Sequence, residues 1–365
     1  MRRSSVWLNS ACLGPSNSQE GQLDTSSAAE SLRAAYSRCS RWAADWCAAE
    51  FDQVLLTAGA SDGCDIALTT RVGVPNVIIY SDLAHECTQS SAACAADYLS
   101  TISGKKILAK QVKLSDLFDR KPHEFASELA SRVGALCSSG NGVFVVEHVT
   151  SEYGMLLPVL EISGHLRCEF PGIDLVIDGA QAAGLWRPPS GLDRAYVGCF
   201  HKYIDGPAGT GFCVLPARLA SRTLHRLRAT QASITSSASE HLPTTDVLKW
   251  NACREAIDAL AKRGCPEDRL ATILRARQEL LERVPSELTL HLSTVRPEYL
   301  SHIISFRTFD NGESEALWRR LAACGFSTKQ LDHGARVTID DSIRIESLRA
   351  FADVLREFVG PAARE

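Results

Sequence analysis

Residues 198–212 read GCFHKYIDGPAGTGF, and the chemistry of this stretch turns on one cation, Lys202. A lysine can be an ordinary solvated charge. It becomes a nucleophile toward carbonyl groups when desolvation or neighbouring cations keep its amine partly neutral. His201 precedes it, and Gly206, Gly209 and Gly211 follow, so backbone can pack closely around it. Upstream, Asp178 closes the apolar run DLVIDGAQ (174–181). A carboxylate at the end of a buried strand is partly desolvated and needs a cation or donors, unless it simply caps the next helix. Gln181 lies where it can donate to a ring oxygen.

Two more stretches carry site-like chemistry. TAGASDG (57–63) is a small-residue turn leading from a strand into a helix. Backbone N–H groups at a helix start, with the Ser61 hydroxyl, can hold a phosphate dianion; the plain alternative is a capped βα turn. It is not a Walker loop, because no Lys-Ser/Thr follows its glycines. YSDLAHEC (80–87) places His85 just past a strand, where an imidazole can lie flat on an aromatic ligand or serve as a hydrogen-bonded loop residue. An acid that pairs with a protonated pyridine nitrogen, an amine that condenses with an aldehyde, a stacking imidazole and a phosphate cradle are together the parts that hold pyridoxal 5′-phosphate (PLP).

These residues must be positioned by strand ends. Short β-branched runs, QVLLTAG (53–59), NVIIYS (76–81), KILAKQV (106–112), GVFVVEHV (142–149), DLVIDGA (174–180), RAYVGC (194–199) and GFCVLP (211–216), alternate with helical patterns. Several are continuously apolar, which suits strands buried on both faces. The expected fold is therefore α/β, a mostly parallel sheet covered by helices, with ligands at the strand ends. Segment 231–245, QASITSSASEHLPTT, reads as a polar loop. Beyond it the texture changes to helices and two strands, HIISFRTF (302–309) and ARVTID (335–340), then a last helix with Leu348, Phe351, Leu355 and Phe358 on one face. We read residues 15–248 as a large domain and 249–365 as a smaller α+β domain, with 1–14 packing near the active site or the small domain.

Bulk properties narrow the classes. A net charge of −4 with scattered Lys and Arg argues against nucleic acid or an anionic membrane as partner. No apolar run approaches the roughly 18 residues of a membrane span, and the N-terminus lacks a secretory signal. Thirteen cysteines, without C-x-x-C or paired spacing, argue against disulfides or zinc and suit small buried hydrophobes in a reducing cytosol; no metal is expected.

The sequence resembles the class V aminotransferases, the cysteine-desulfurase-like branch of fold-type I PLP enzymes. The resemblance rests on VWLNSACLGP, LLTAGASDGCDIAL, IIYSDLAHECTQ, VEHVTSEYGMLLPV, DLVIDGAQAAG, FHKYIDGPAGTGF and ARVTIDDSI, and spans most of the chain. It implies an internal aldimine at Lys202, a pyridine nitrogen on Asp178, Gln181 near the ring hydroxyl and His85 on the ring face. It also implies phosphate contacts from Ala60, Ser61 and His201, with Thr244 reaching the phosphate from the partner of a homodimer, and Arg336 clamping the substrate carboxylate. Ser151 stands where asparagine is common and Cys199 where Ser or Thr is usual beside the phosphate. The segment before TAGAS is shorter than in the family. The loop STKQLDHGA (327–335) lacks the cysteine that desulfurases carry there, and Cys324 is expected to pack at a helix end. The implied activity is chemistry at Cα of an amino acid through an external aldimine, with carbon–sulfur β-elimination on a cysteine conjugate ranked first. Transamination and epimerisation follow, the latter because GPxGTGF also resembles isopenicillin-epimerase-like relatives. A non-catalytic PLP-fold protein ranks last, because Lys202, Asp178, His85 and Arg336 are all present.

Overall fold

The computed structural model describes residues 6–7, 28–70, 73–137, 140–190, 194–219, 247–284, 288, 295–308, 311–332 and 334–359. Thr244, with the whole of segment 231–245, lies outside the described residues. A two-residue strand β1 (Val6–Trp7) comes first. The seven apolar runs become β2 (Val54–Thr57), β3 (Val77–Ser81), β4 (Leu108–Val112), β5 (Gly142–Glu147), β6 (Ile173–Asp178), β7 (Ala195–Cys199) and β8 (Gly211–Val214). They form one sheet in the order β2-β8-β7-β6-β5-β3-β4. Every pairing is parallel except those of β8, which runs antiparallel to β2 and β7. The reason is local: β7 and β8 are joined by the short loop 200–210, and a parallel pair would need a long crossover. Because β8 reverses between them, β2 points the same way as β7. The carboxyl ends of β2, β3, β5, β6 and β7 therefore share one edge of the sheet.

Helices cover both faces, as continuous burial of the strands requires. On one face α1 (Ala28–Cys47), α4 (Pro122–Leu136), α5 (Val159–Glu169) and α6 (Val247–Lys262) pack Leu32, Phe125, Ile162 and Trp250 against Ile79, Phe144 and Ile177 of the sheet. On the other, α2 (Ala60–Thr69) and α3 (Glu86–Ser103) pack Leu68, Ala92 and Leu99 against Ile78, Val145 and Val197. Alternate residues of each strand serve opposite cores. Each large apolar side chain so buried contributes about 1.5–3 kcal/mol.

A second, three-stranded antiparallel sheet, in the order β11-β12-β9, is built from β9 (Ile303–Arg307), β11 (Lys329–Leu331) and β12 (Gly334–Thr338). It shares a separate core with α7 (Pro266–Leu281), α8 (Asn311–Ala323) and α9 (Ile345–Val359), including Ile273, Leu317, Phe306, Leu348, Phe351 and Leu355. Helix α6, whose first turn contains the boundary read at 248/249, packs with α1 on the large sheet's core. β10 (Phe326–Ser327) pairs in parallel with β1, which brings that part of residues 1–14 to the smaller unit. Segment 327–335, expected as a loop, instead contributes β11. Gly334, at φ +154°, opens β12 opposite Leu331; a Cβ there would lie 1.8 Å from the Phe306 carbonyl oxygen on the β9 side. The backbone pairs whatever the polarity of the side chains on it. Cys324 is exposed rather than packed, and the twelve described cysteines, all free thiols, divide between buried and exposed positions. Among the described residues, no helix is long and apolar enough to cross a membrane.

Candidate active site

A cavity of about 560 Å³ opens at the carboxyl edge of the large sheet and extends to β11 and β12 of the small one. Ala60, Ser61, His85, Ser151, Asp178, Gln181, Cys199, His201, Lys202 and Arg336 all line it. Of the residues singled out from the sequence, Thr244 alone lies outside the described residues.

Lys202 sits in a loop clamped at its base. Phe200 N–H donates to the Thr210 carbonyl at 3.0 Å, Gly206 N–H to the Phe200 carbonyl at 2.8 Å, and the Thr210 hydroxyl to the Pro207 carbonyl at 2.6 Å. Gly211 lets this loop lie against the β2–α2 turn, since a Cβ there would come within 2.7 Å of Gly59 Cα. Gly209 holds φ +74°, a left-handed conformation that suits glycine. The Lys202 side chain is half-buried and makes no hydrogen bond or salt bridge with any described residue. Its charge, after burial, is what holds His201 and His85 below the ordinary imidazole range. Both rings are therefore neutral at pH 7.

Asp178 is buried at the end of β6. One oxygen accepts from the Thr88 hydroxyl at 3.0 Å and the other from Ala180 N–H at 2.9 Å. The capping alternative and the ligand-facing one thus coexist. Beside it in register, Glu147 ends β5. Burial, and then the Asp178 charge, push the Glu147 carboxyl well above the usual range. Its Oε1 accepts from His85 N–H at 3.1 Å, which anchors the start of α3. His85 caps that helix: Nδ1 accepts from Cys87 N–H at 3.2 Å, which fixes the neutral ring as the Nε2–H tautomer.

The cavity also holds polar groups that lack partners. Helix α2 begins at Gly59 with no side-chain cap, so its first N–H groups face the cavity that Ala58, Gly59, Ala60 and Ser61 line. His201 Nδ1 and Ser151 Oγ are buried with no hydrogen-bond partner among the described residues. Cys199 Sγ reaches the Ala180 carbonyl at 3.6 Å, and burial raises its thiol pKa. Gln181 is oriented by the Tyr203 hydroxyl, which donates to its Oε1 at 2.7 Å. On the opposite wall Arg336, 1% exposed, donates through Nη1 to the Ser151 carbonyl. Next to it His302 accepts from Trp186 Nε1 at 3.1 Å; burial and the Arg336 charge hold its pKa at about 3.

The sequence reading left out Thr88, Cys87, Glu147 and Lys329, which line the same cavity. Glu147 was visible by the logic that found Asp178, an acid closing an apolar strand. Lys329 carried no such signal, because only the pairing of β11 with β12 brings it to the site.

The fold matches that of fold-type I PLP enzymes. The model superposes on the cystine C-S lyase C-DES in complex with its reaction product cysteine persulfide, with a TM-score of 0.75 and 18% identity over 98% of this chain and 99% of that one. A C-DES mutant with glycine covalently linked to its PLP cofactor gives 0.75 and 14% identity, covering 97% and 96%. The cysteine desulfurase CsdA from Escherichia coli gives 0.70 and 14%, covering 98% and 95%. By sequence, no family model and no curated protein matches the chain. At these identities the likeness is one of fold.

Proposed function

We propose that the chain is a PLP-dependent enzyme acting at Cα of an amino acid, with β-elimination across a carbon–sulfur bond as its reaction. One observation carries this reading: a half-buried lysine and a buried carboxylate line one cavity, together with a helix start that has no side-chain cap, and among the described residues the lysine side chain and two buried polar atoms have no hydrogen-bond partner. Buried polar groups cost free energy unless something satisfies them, and a phosphorylated pyridine fits these positions. The α2 N-terminus, Ser61 and His201 would hold the phosphate, Asp178 the ring nitrogen, Gln181 and Ser151 the ring hydroxyl, and His85 the ring face. When bound, the group supplies an electron sink that acidifies the Cα–H of an attached amino acid.

The chain's own residues do the rest. Lys202 provides an amine to take the Cα proton, aided by a site that shields it from bulk water. Asp178, fixed by Thr88 and Ala180, favours a protonated ring nitrogen. Arg336 presents a guanidinium matched to a carboxylate, held in place by its bond to Ser151.

The solved structures of similar fold are of proteins described as a cystine C-S lyase and cysteine desulfurases, which supports a sulfur amino acid as substrate and leaves elimination and persulfide transfer unseparated. One feature of this chain favours elimination. The segment that would carry a persulfide-forming cysteine is here β11, with Lys329 facing the cavity. Incubating the PLP-loaded protein with cysteine S-conjugates tests this. Elimination with water gives thiol, pyruvate and ammonia in equal amounts. Pyridoxamine phosphate without pyruvate would establish transamination, and a racemised substrate epimerisation. The homodimer implied by the resemblance is part of the same reading, and sedimentation would then return twice the chain mass.

A further inference from the structure

The smaller unit brings a second cation into the cavity. β11 and β12 are antiparallel, and Lys329 lies directly opposite Arg336 in their register. Residues directly opposite on neighbouring strands project from the same face with Cβ atoms about 4.5–5.5 Å apart, and like charges placed so repel. Both side chains line the cavity. The repulsion is tolerated although the edge strand β11 could carry a neutral residue at no cost to its pairing. Lys329 is 29% exposed, and among the described residues its counter-ion is Glu152, 43% exposed, with Nζ–Oε1 at 3.5 Å. An exposed pair of this length is readily exchanged for a ligand anion. The Lys329 ammonium also acts inward, as one of the charges that lower the His85 pKa after burial and Lys202.

Resting on the reading above, we infer that Lys329 is a specificity residue, and that the site selects amino acids whose side chain or leaving group ends in an anion. Arg336 takes the α-carboxylate and Lys329 takes the second anion, exchanging Glu152 for it. One ammonium on the rim, rather than a second guanidinium, tolerates variation in the length and geometry of the anionic arm.

The test uses isosteric pairs that differ only in charge: aspartate against asparagine, and S-carboxymethylcysteine against S-carbamoylmethylcysteine. Dissociation constants are read from the absorption change of the PLP-loaded protein, and from calorimetry with the apoprotein. We expect the acid of at least one pair to bind tenfold or more tighter than its amide. Lys329→Gln should bring that ratio close to one with little change for the amide, and Glu152→Gln should raise it. Equal affinities for acid and amide in wild type would overturn the inference while leaving the PLP reading intact. So would a Lys329→Gln variant that weakens both members equally, since Lys329 would then serve the shared α-carboxylate. A protein that takes up no PLP, and whose spectrum answers to no amino acid, would instead remove the reading on which this rests. Melting temperatures of the variants separate loss of binding from loss of fold; both substitutions are at partly exposed positions.

Discussion

Glu147 shows how burial beside a second carboxylate acts on an acid at a strand end. Glu147 and Asp178 end neighbouring strands in register, and the shortage of water makes a second negative charge there costly. The pKa of Glu147 is raised, by burial first and by Asp178 second. Its folded pKa lies above its unfolded one, so the folded state binds the extra proton. The stability Glu147 gives is full below the unfolded value and is lost as pH rises through the folded one. Glu147→Gln keeps the shape and removes that dependence. Thermal melts should show the variant gaining on wild type between pH 5 and pH 8, by about 2 °C or more at the upper end. A gap that stays constant across this range would mean that Glu147 is not titrating. Asp178 was legible from sequence because an acid interrupts an apolar strand, and Glu147 carried the same mark. Lys202 was legible from its glycine-rich context. Lys329 was not, since a lysine in a polar stretch has no distinguishing neighbours until the register is known.

At the scale of elements, the large sheet was readable because strands covered on both faces are apolar throughout. Helix α3 shows where that reading fails. It buries Thr88, Ser91, Ala92, Ala95, Ala96 and Leu99, a helical spacing made almost wholly of small residues. Hydrophobic periodicity is faint when alanine and serine do the packing. β11 was missed for the complementary reason, as its three residues, Lys329–Leu331, pair with β12 through the backbone and carry no apolar pattern. The contact of β8 with the β2–α2 turn is the element-level determinant of the site. Gly211 allows it, because an added Cβ would sit 2.6 Å from the Gly59 carbonyl carbon, where neither backbone can yield cheaply. Gly211→Ala should therefore displace the start of α2 and weaken PLP binding by about tenfold or more, equivalent to about 1.4 kcal/mol. Fluorescence titration of the apoprotein with PLP measures this; unchanged affinity would dissociate the turn from phosphate binding.

Across the whole molecule, the two sheets are tied together beside the lysine loop. Arg263, just past α6, donates to Asp205 at 2.7 Å and to Asp341 at 3.3 Å. Arg269 on α7 is 4% exposed; it bonds Asp341 and donates to the Gly184 carbonyl at 3.1 Å. Burial raises the Asp341 carboxyl, but Arg269 and Arg263 more than offset this and hold it below the usual range. Asp205 bears φ +61°, a strained value for a residue with a side chain, three residues after Lys202. The clasp thus connects the Lys202 loop to the unit that carries Arg336 and Lys329. Asp341→Ala leaves Arg269 buried without its carboxylate and should cost about 3 kcal/mol in denaturant unfolding; a loss below about 0.5 kcal/mol would show the clasp to be an ordinary surface pair. The existence of a second α+β unit was legible from the change of texture after residue 245. Its contribution of a wall to the cavity was legible only at Arg336, because contacts between distant segments leave no local pattern.

Everything proposed here depends on the ε-amine of Lys202 being the point at which PLP attaches. Incubation of the purified protein with PLP, borohydride reduction, proteolysis and mass spectrometry locate the attachment directly. A phosphopyridoxyl group on Lys202 is expected, with the visible absorption of the loaded protein absent from Lys202→Ala. A label confined to any other lysine, or the same absorption in the alanine variant, would contradict it.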